Sequence, residues 1–237
     1  MKKFDIRDSI VYEDDDLFII NKPPHISTLE DRTSNVNILT LAKEYCEGAQ
    51  ICHRLDKETS GALIIAKNPE TYRHVSIAFE KRKVKKVYHA IVDGLHEFKD
   101  LEATAPIKIL KKGIVFIDFK EGKDALTYFD TVEAYKNHTL VACRPITGRM
   151  HQIRVHLSFL KAPITSDEAY GGKPLYLSKL KKNYNIGKHE DESPLIQRVA
   201  LHAYKVSFAD LTGKNIKISA PYPKDFAVAV KQLSKNR

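Results

Sequence analysis

The chain has 237 residues, 43% of them hydrophobic, and a formal net charge of +9 with a pI near 9.3. That length fits one large domain with a sizeable core. No apolar run approaches the roughly eighteen residues of a membrane span, and MKKFDIRDSIVYEDDD turns acidic without a signal-like stretch. The expectation is a cytoplasmic protein, away from membranes. Its basic surplus suits a polyanion such as nucleic acid, although it serves solubility equally well.

In chain order, Leu17–Asn21 (LFIIN) reads as a strand that stops at Pro23-Pro24. Ile38, Leu39, Ala42 and Tyr45 recur at helical spacing. Ala62–Ala66 (ALIIA) is a short buried strand, and Asn68-Pro69 opens a helix with Asn as N-cap and Pro at the first position. Tyr72, Val75 and Phe79 form that helix's inner face. Val87–Val92 is a strand closed by Asp93-Gly94. Ile114–Phe119, Leu126–Ala134 and Leu140–Cys143 follow as strands. A helix is expected from about Arg149 to Leu160, with Met150, Ile153, Leu157 and Leu160 as its stripe. Val199–Phe208 and Ile216–Ser219 are late strands, and a last helix carries Phe226, Val230 and Leu233. Many strands with few interleaved helices predict an α+β fold on a mixed, mainly antiparallel sheet. Lys173–Pro194 is polar, basic and then acidic, and reads as a surface insertion.

Three cysteines, Cys46, Cys52 and Cys143, lack metal-ligand spacing and cannot close a disulfide framework, so they read as small buried hydrophobes. Two other stretches carry more chemistry. HRLDKETSG (His53–Gly61) puts Asp56 just before the rigid ALIIA strand, where a carboxylate is easily held in place. The plain alternative is a turn, with Asp and Ser bonding nearby amides. TGRMHQIRVH (Thr147–His156) packs two arginines, two histidines and a glutamine into one helical segment. Its apolar stripe does not explain them. They make either a solvated face or a surface for phosphates and base edges, which Arg, Gln and His suit by their varied donors. Thr147-Gly148 at the start would add backbone amides.

HRLDKETSG, KVYHAIVDG, ITGRMHQIRVH, DEAYGG and RVALHA, in this order from about Ile10 to Phe226, resemble the motifs of RluA-type RNA pseudouridine synthases. The resemblance implies a single pseudouridine synthase catalytic domain over 1–237, with a core of about 10–226, an insertion at 173–194 and no separate N-terminal RNA-binding module. It implies isomerisation of uridine in a structured tRNA or rRNA, without cofactor or metal. Asp56 would be the essential carboxylate, as nucleophile or as base. Tyr88 would pack on the uracil, and Arg154 would pair with Asp56. His53, Arg54, Thr59, Arg149 and Gln152 would contact the substrate, Arg54 filling the space that the displaced base leaves, with support of the loop as the alternative role of His53. The expected partner is RNA alone, bound by a monomer with no obligate protein partner. The basic clusters Lys81–Lys86, Lys111-Lys112 and Lys179–Lys182 are candidate phosphate contacts. One departure from the family pattern falls at Ser166-Asp167, where Gly-Asp is usual, and bears on the local turn. Lys108 stands near a common arginine position.

Two rival readings differ in class. A catalytically silent RNA-binding protein on the same fold predicts loss of Asp56, Tyr88 or Arg154, and all three residues are present. A metal-dependent hydrolase is prompted by ten histidines. But His151 and His156 are spaced onto different helix faces, and no HExxH-like set occurs.

Overall fold

Apolar runs and turn residues resolve into strands and helices that follow the expected order. The computed structural model describes residues 4–30, 36–110, 113–181, 184 and 191–237. In chain order these are β1 (Ile10–Glu13), β2 (Leu17–Lys22), α1 (Ile38–Tyr45), β3 (Gln50–Ile51), β4 (Ser60–Ala66), α2 (Pro69–Glu80), β5 (Lys85–Asp93), β6 (Leu101–Ala103), β7 (Ile107–Ile109) and β8 (Val115–Ile117). Then come β9 (Thr127–Ala134), β10 (His138–Pro145), α3 (Gln152–Phe159), α4 (Leu177–Leu180), β11 (Leu201–Ala209), β12 (Asn215–Ser219) and α5 (Lys224–Lys235). The chain divides into two compact units, residues 1–87 with 202–222, and residues 88–201 with 223–237. The candidate cluster Lys111-Lys112, and parts of Lys179–Lys182 and of the expected insertion at 173–194, lie outside the described residues.

In the first unit, β2 pairs antiparallel with β1 on one side and β4 on the other, with Leu17 opposite Ala66 and Lys22 opposite Gly61. β4 then pairs parallel with β11, His202 against Ser60, and β11 pairs antiparallel with β12. All seven residues of β4 are buried. Alternate side chains of a strand point to opposite faces, so this strand needs cover on both. Leu17, Ile19, Ala62, Ile64 and Ala66 pack with Val75 and Ala78 of α2 and with Val206 and Phe208 of β11. The opposite set includes Phe18, whose ring meets that of Tyr45 on α1 edge-on, 5.4 Å between centroids.

Helix α2 begins as the sequence predicts, with the Asn68 side chain accepting from the Thr71 amide and Pro at its first turn. Its buried face differs, however. Thr71, Val75 and Ala78 are inward, while Tyr72 is 37% exposed and Phe79 lies at the side of the core. The i, i+4, i+7 set wins because the close approach to β4 favours small and β-branched side chains over rings.

In the second unit, β10 runs antiparallel to β5 and to β9, and β9 antiparallel to β6. β7 and β8 form a separate hairpin. Its Ile107 and Val115 pack with Val155 of α3. The predicted start of α3 at Arg149 is wrong. His151 has φ +53°, a left-handed conformation that no right-handed helix continues through, so the helix begins at Gln152. The expected α+β architecture, with mixed and mainly antiparallel strand pairing, is what the two units contain.

Gly61 of β4 lies directly against Ala203 of β11. Its φ is +115°, and a Cβ there would collide with the Ala203 carbonyl oxygen. Gly61→Ala therefore combines backbone strain with a clash against backbone that cannot yield. We expect a loss of about 3 kcal/mol or more, read as a fall in the urea midpoint; a loss below about 0.5 kcal/mol would contradict this packing.

Candidate active site

The Asp56 loop leaves β3 and enters β4, and it is tied down residue by residue. His53 accepts a hydrogen bond at Nε2 from the Ile64 amide, 3.1 Å, and its ring lies against Phe79 with centroids 4.6 Å apart. Leu55 is buried, and the Thr28 hydroxyl clamps its backbone twice. Thr28 Oγ1 donates to the Leu55 carbonyl at 2.7 Å and accepts from the Leu55 amide at 3.2 Å. On the other side of Asp56, the Lys57 carbonyl accepts from the His25 amide at 2.9 Å and from the Lys22 ammonium at 3.1 Å. The Thr59 amide closes a turn onto the Asp56 carbonyl at 3.0 Å. Asp56 is thus fixed through its neighbours while its own residue stays half-exposed.

Lys22 was not among the sequence candidates. It is fully buried, and its ammonium also donates to the carbonyls of Pro23 and Ile26, each at 2.9 Å. The following strand is anchored in turn by Ser60. Its hydroxyl is 2.9 Å from His202 Nδ1, and His202 Nε2 lies 3.1 Å from the Ala220 carbonyl. A carbonyl only accepts, so His202 donates through Nε2 and receives the Ser60 proton at Nδ1.

In the second unit, Tyr88 stands half-buried on β5 opposite Cys143 of β10. The TGRMHQIRVH segment sorts its polar side chains into two sets. The inner set is a closed chain of hydrogen bonds. His156 lies 2.9 Å from the Ala105 carbonyl at Nε2 and 3.0 Å from Thr127 Oγ1 at Nδ1. Gln152 Nε2 donates to Thr127 Oγ1 at 2.9 Å and to the Leu126 carbonyl at 3.0 Å. Gln152 Oε1 accepts from the Thr147 hydroxyl at 2.7 Å and the Arg149 amide at 2.9 Å. Gln152 is 4% exposed and its amide makes four bonds inside the unit.

The outer set contains Arg149 and Arg154. Arg149 is exposed, with Nε donating to the Asp124 carbonyl at 3.1 Å. Arg154 is gripped side-on by Asp167, with Nε to Oδ2 and an Nη to Oδ1 both at 2.7 Å. Its guanidinium also lies over the Tyr170 ring, 4.8 Å from the centroid.

Of the five expected substrate contacts, then, only Arg54 and Arg149 present exposed side chains. Thr59 and Gln152 were expected to face RNA; the structure gives Gln152 partners within its own unit and buries Thr59 behind the Asp56 turn, while His53, expected either at the substrate or as loop support, bonds the Ile64 amide within its own unit. Of the basic cluster Lys81–Lys86, Lys86 folds back over the Phe79 ring at 5.8 Å, leaving Lys81, Arg82, Lys83 and Lys85 exposed. Among the described residues no group of three or more His, Cys, Asp or Glu is placed to hold a metal ion, and no helix is long and apolar enough to cross a membrane.

Comparison with known proteins decides the family. The profile described as RNA pseudouridylate synthase matches residues 16–159, which include Asp56, Tyr88 and Arg154. The chain belongs to this family. It is an RNA pseudouridine synthase of the RluA type, an isomerase. A ribosomal large subunit pseudouridine synthase C of Buchnera aphidicola is 37% identical over 235 residues, covering 94% of this chain and 70% of the relative. An uncharacterised RNA pseudouridine synthase of Zymomonas mobilis is 34% identical, covering 92% of this chain and 94% of its own length. Among solved structures, human RNA pseudouridylate synthase domain containing 1 superposes with a TM-score of 0.70 at 26% identity, covering 91% of this chain and 83% of that one.

The synthase's Asp56 loop depends on a neutral imidazole. Burial, with the nearby Lys86 charge, pushes His53 down from 6.5 to about 3. Protonation would also turn the acceptor of the Ile64 amide into a donor. Between about pH 6.5 and about 3 the unfolded chain binds a proton that the folded one refuses. Stability is therefore fullest above 6.5 and falls with pH by at most about 1.4 kcal/mol per unit. From pH 7 to pH 5 the wild type should lose about 2 kcal/mol through His53. His53→Gln retains an acceptor for the amide but cannot titrate, so its urea-derived stability should vary less over that range. Equal pH dependence in both proteins would remove His53 from the acid response.

Proposed function

We propose that this synthase isomerises uridine in ribosomal RNA, with Asp56 as the essential carboxylate, Tyr88 against the uracil and Arg154 as the cation that serves Asp56. The observation that carries the reading is the loop geometry. Asp56 is the half-exposed residue between two backbone clamps, Thr28 on Leu55 and Lys22 with His25 on Lys57. A group that must attack or take a proton needs fixed placement more than strong binding. The ribosomal substrate is supported by the name of the Buchnera relative.

The chemistry needs no outside reagent. The bond from N1 to the sugar breaks, the uracil rotates, and a bond forms from C5 to the same sugar carbon. The proton on C5 is lost and N1 gains one, so atoms and electrons balance. Asp56 either attacks the anomeric carbon or removes the 2′ proton to give a glycal, and both roles need it ionised. Arginine suits such a partner because it stays charged and bonds carboxylate through a planar fork. The base must leave its stack to react, at a cost of a few kcal/mol. Exposed Arg54, two residues before Asp56, is suited to fill the vacated space.

Asp56→Asn keeps the size of the side chain but removes charge, nucleophile and base. Conversion should fall below detection in single-turnover assays with excess enzyme, while equilibrium binding of the same RNA survives, since affinity comes mainly from phosphate contacts. A folded variant converting at near wild-type rate would sink the assignment. The substrate is tested separately, by mapping pseudouridines at single-nucleotide resolution in ribosomal and transfer RNA from a deletion strain. A missing site in transfer RNA alone would move the proposal to that class.

Exposed Lys83 lies between α2 and the Tyr88 strand, exposed Lys85 opens that strand, and both belong in the phosphate footprint. Changing both to Ala should flatten the log–log salt dependence of RNA binding by about one to two units. An unchanged slope takes this cluster out of the footprint.

A further inference from the structure

The guanidinium of Arg154 is held by groups that the proposed chemistry leaves without a role. The Asp167 side chain is 1% exposed and that of Arg154 12%. Two parallel bonds of 2.7 Å join them, and the Tyr170 ring lies against the guanidinium face. Tyr170 is fixed in turn, its hydroxyl 2.9 Å from His151 Nδ1 and its carbonyl accepting from the Ser158 hydroxyl at 2.9 Å. Burying an ion pair this deeply costs desolvation on both partners, and apolar residues of similar volume often stabilise a fold as well. Stability alone is thus a poor reason for the pair. Orientation is a better one, because a carboxylate that takes Nε and one Nη fixes the plane of the guanidinium as well as its place.

We propose that Asp167 is a positioning residue for the isomerisation. It fixes the plane and place of the Arg154 guanidinium within its own unit. The inference rests on the reading that Arg154 serves Asp56.

A double-mutant cycle on the full chain tests this, using single-turnover rate and RNA affinity for Asp167→Asn, Asp167→Glu, Arg154→Met and Arg154→Met/Asp167→Asn. Arg154→Met should slow conversion about a hundredfold, with affinity for RNA within about threefold, since one phosphate-independent side chain contributes little to binding. Asp167→Asn should slow it by about ten- to a hundredfold with similar affinity, and Asp167→Glu should restore part of the rate. In the Arg154→Met background, Asp167→Asn should change the rate by less than about twofold, because there is no longer a guanidinium to orient. Either single variant leaves one buried charge unpaired; where that prevents folding, Asp167→Glu keeps both charges, and a wild-type rate in it overturns the proposal. A further large loss in that background, or wild-type rate in folded Asp167→Asn, overturns the proposal. Wild-type rate in Arg154→Met would instead show that the underlying reading of Arg154 has failed, and the proposal with it.

Discussion

A buried ammonium holds the segment on which the Asp56 loop rests. Lys22 ends β2 with its side chain inside, and its ammonium donates to the carbonyls of Pro23, Ile26 and Lys57. Taking an ammonium out of water is expensive, and charge-assisted bonds to several carbonyls offset that cost only while all of them stay in place. The lysine therefore couples the end of a strand, the Pro23-Pro24 turn and the residue after Asp56 into one arrangement. Thr28, six residues further along, clamps the residue before Asp56. The reach from 22 to 28 thus grips the loop on both sides, and His25 takes φ +67° within it, adding its amide to the Lys57 carbonyl.

That role was legible only in part. The run LFIIN reads correctly as a strand, and proline explains where it stops. Yet Lys22 continues the even-numbered face of β2, after Phe18 and Ile20, and all three are fully buried. A lysine at a core-facing position in a period-two pattern was a usable signal, because a charge there needs partners. What the pattern lacks is any indication of which carbonyls those are. The Lys57 contact spans 35 positions and the Ser60–His202 contact 142. Hydrophobic periodicity reports which face is inward, whereas polar partners follow from tertiary approach.

The α3 segment makes the same point at closer range. Its polar residues look like one set in the sequence, and a single RNA-facing surface is the natural expectation. The left-handed His151 delays the helix to Gln152 and turns the Gln152 amide into a cap for the preceding loop. With the Ala105 carbonyl as the end acceptor, His156 donates through Nε2 and receives the Thr127 proton at Nδ1. Thr127 then accepts from Gln152, and Gln152 from Thr147. Each proton in this chain has a place, as a buried polar network requires. Burial lowers the His156 pKa and keeps the ring neutral, consistent with that assignment. The inner residues tie the segment to its own unit, and Arg149 and Arg154 lie outside that network.

The same separation of scaffold from function explains how DEAYGG tolerates its departure from the family pattern. Ser166 occupies the usual glycine position and takes φ +61°, a conformation that a side chain enters at a cost. Its hydroxyl donates to the Ile196 carbonyl at 2.8 Å and its amide to the Lys173 carbonyl at 3.0 Å. Those bonds compensate for strain that a glycine would not incur. Gly172 has no such latitude, since a Cβ there would meet the Ile164 carbonyl. Between these two positions the Asp167 carbonyl accepts from the amides of Tyr170 and Gly172, and its amide donates to Ile164. The backbone of Asp167 is thereby fixed on both its donor and acceptor sides, and from that fixed backbone its carboxylate reaches Arg154. A turn that can accept Ser166 but not a side chain at 172 is one whose requirement is the placement of Asp167, not the identity of each residue around it.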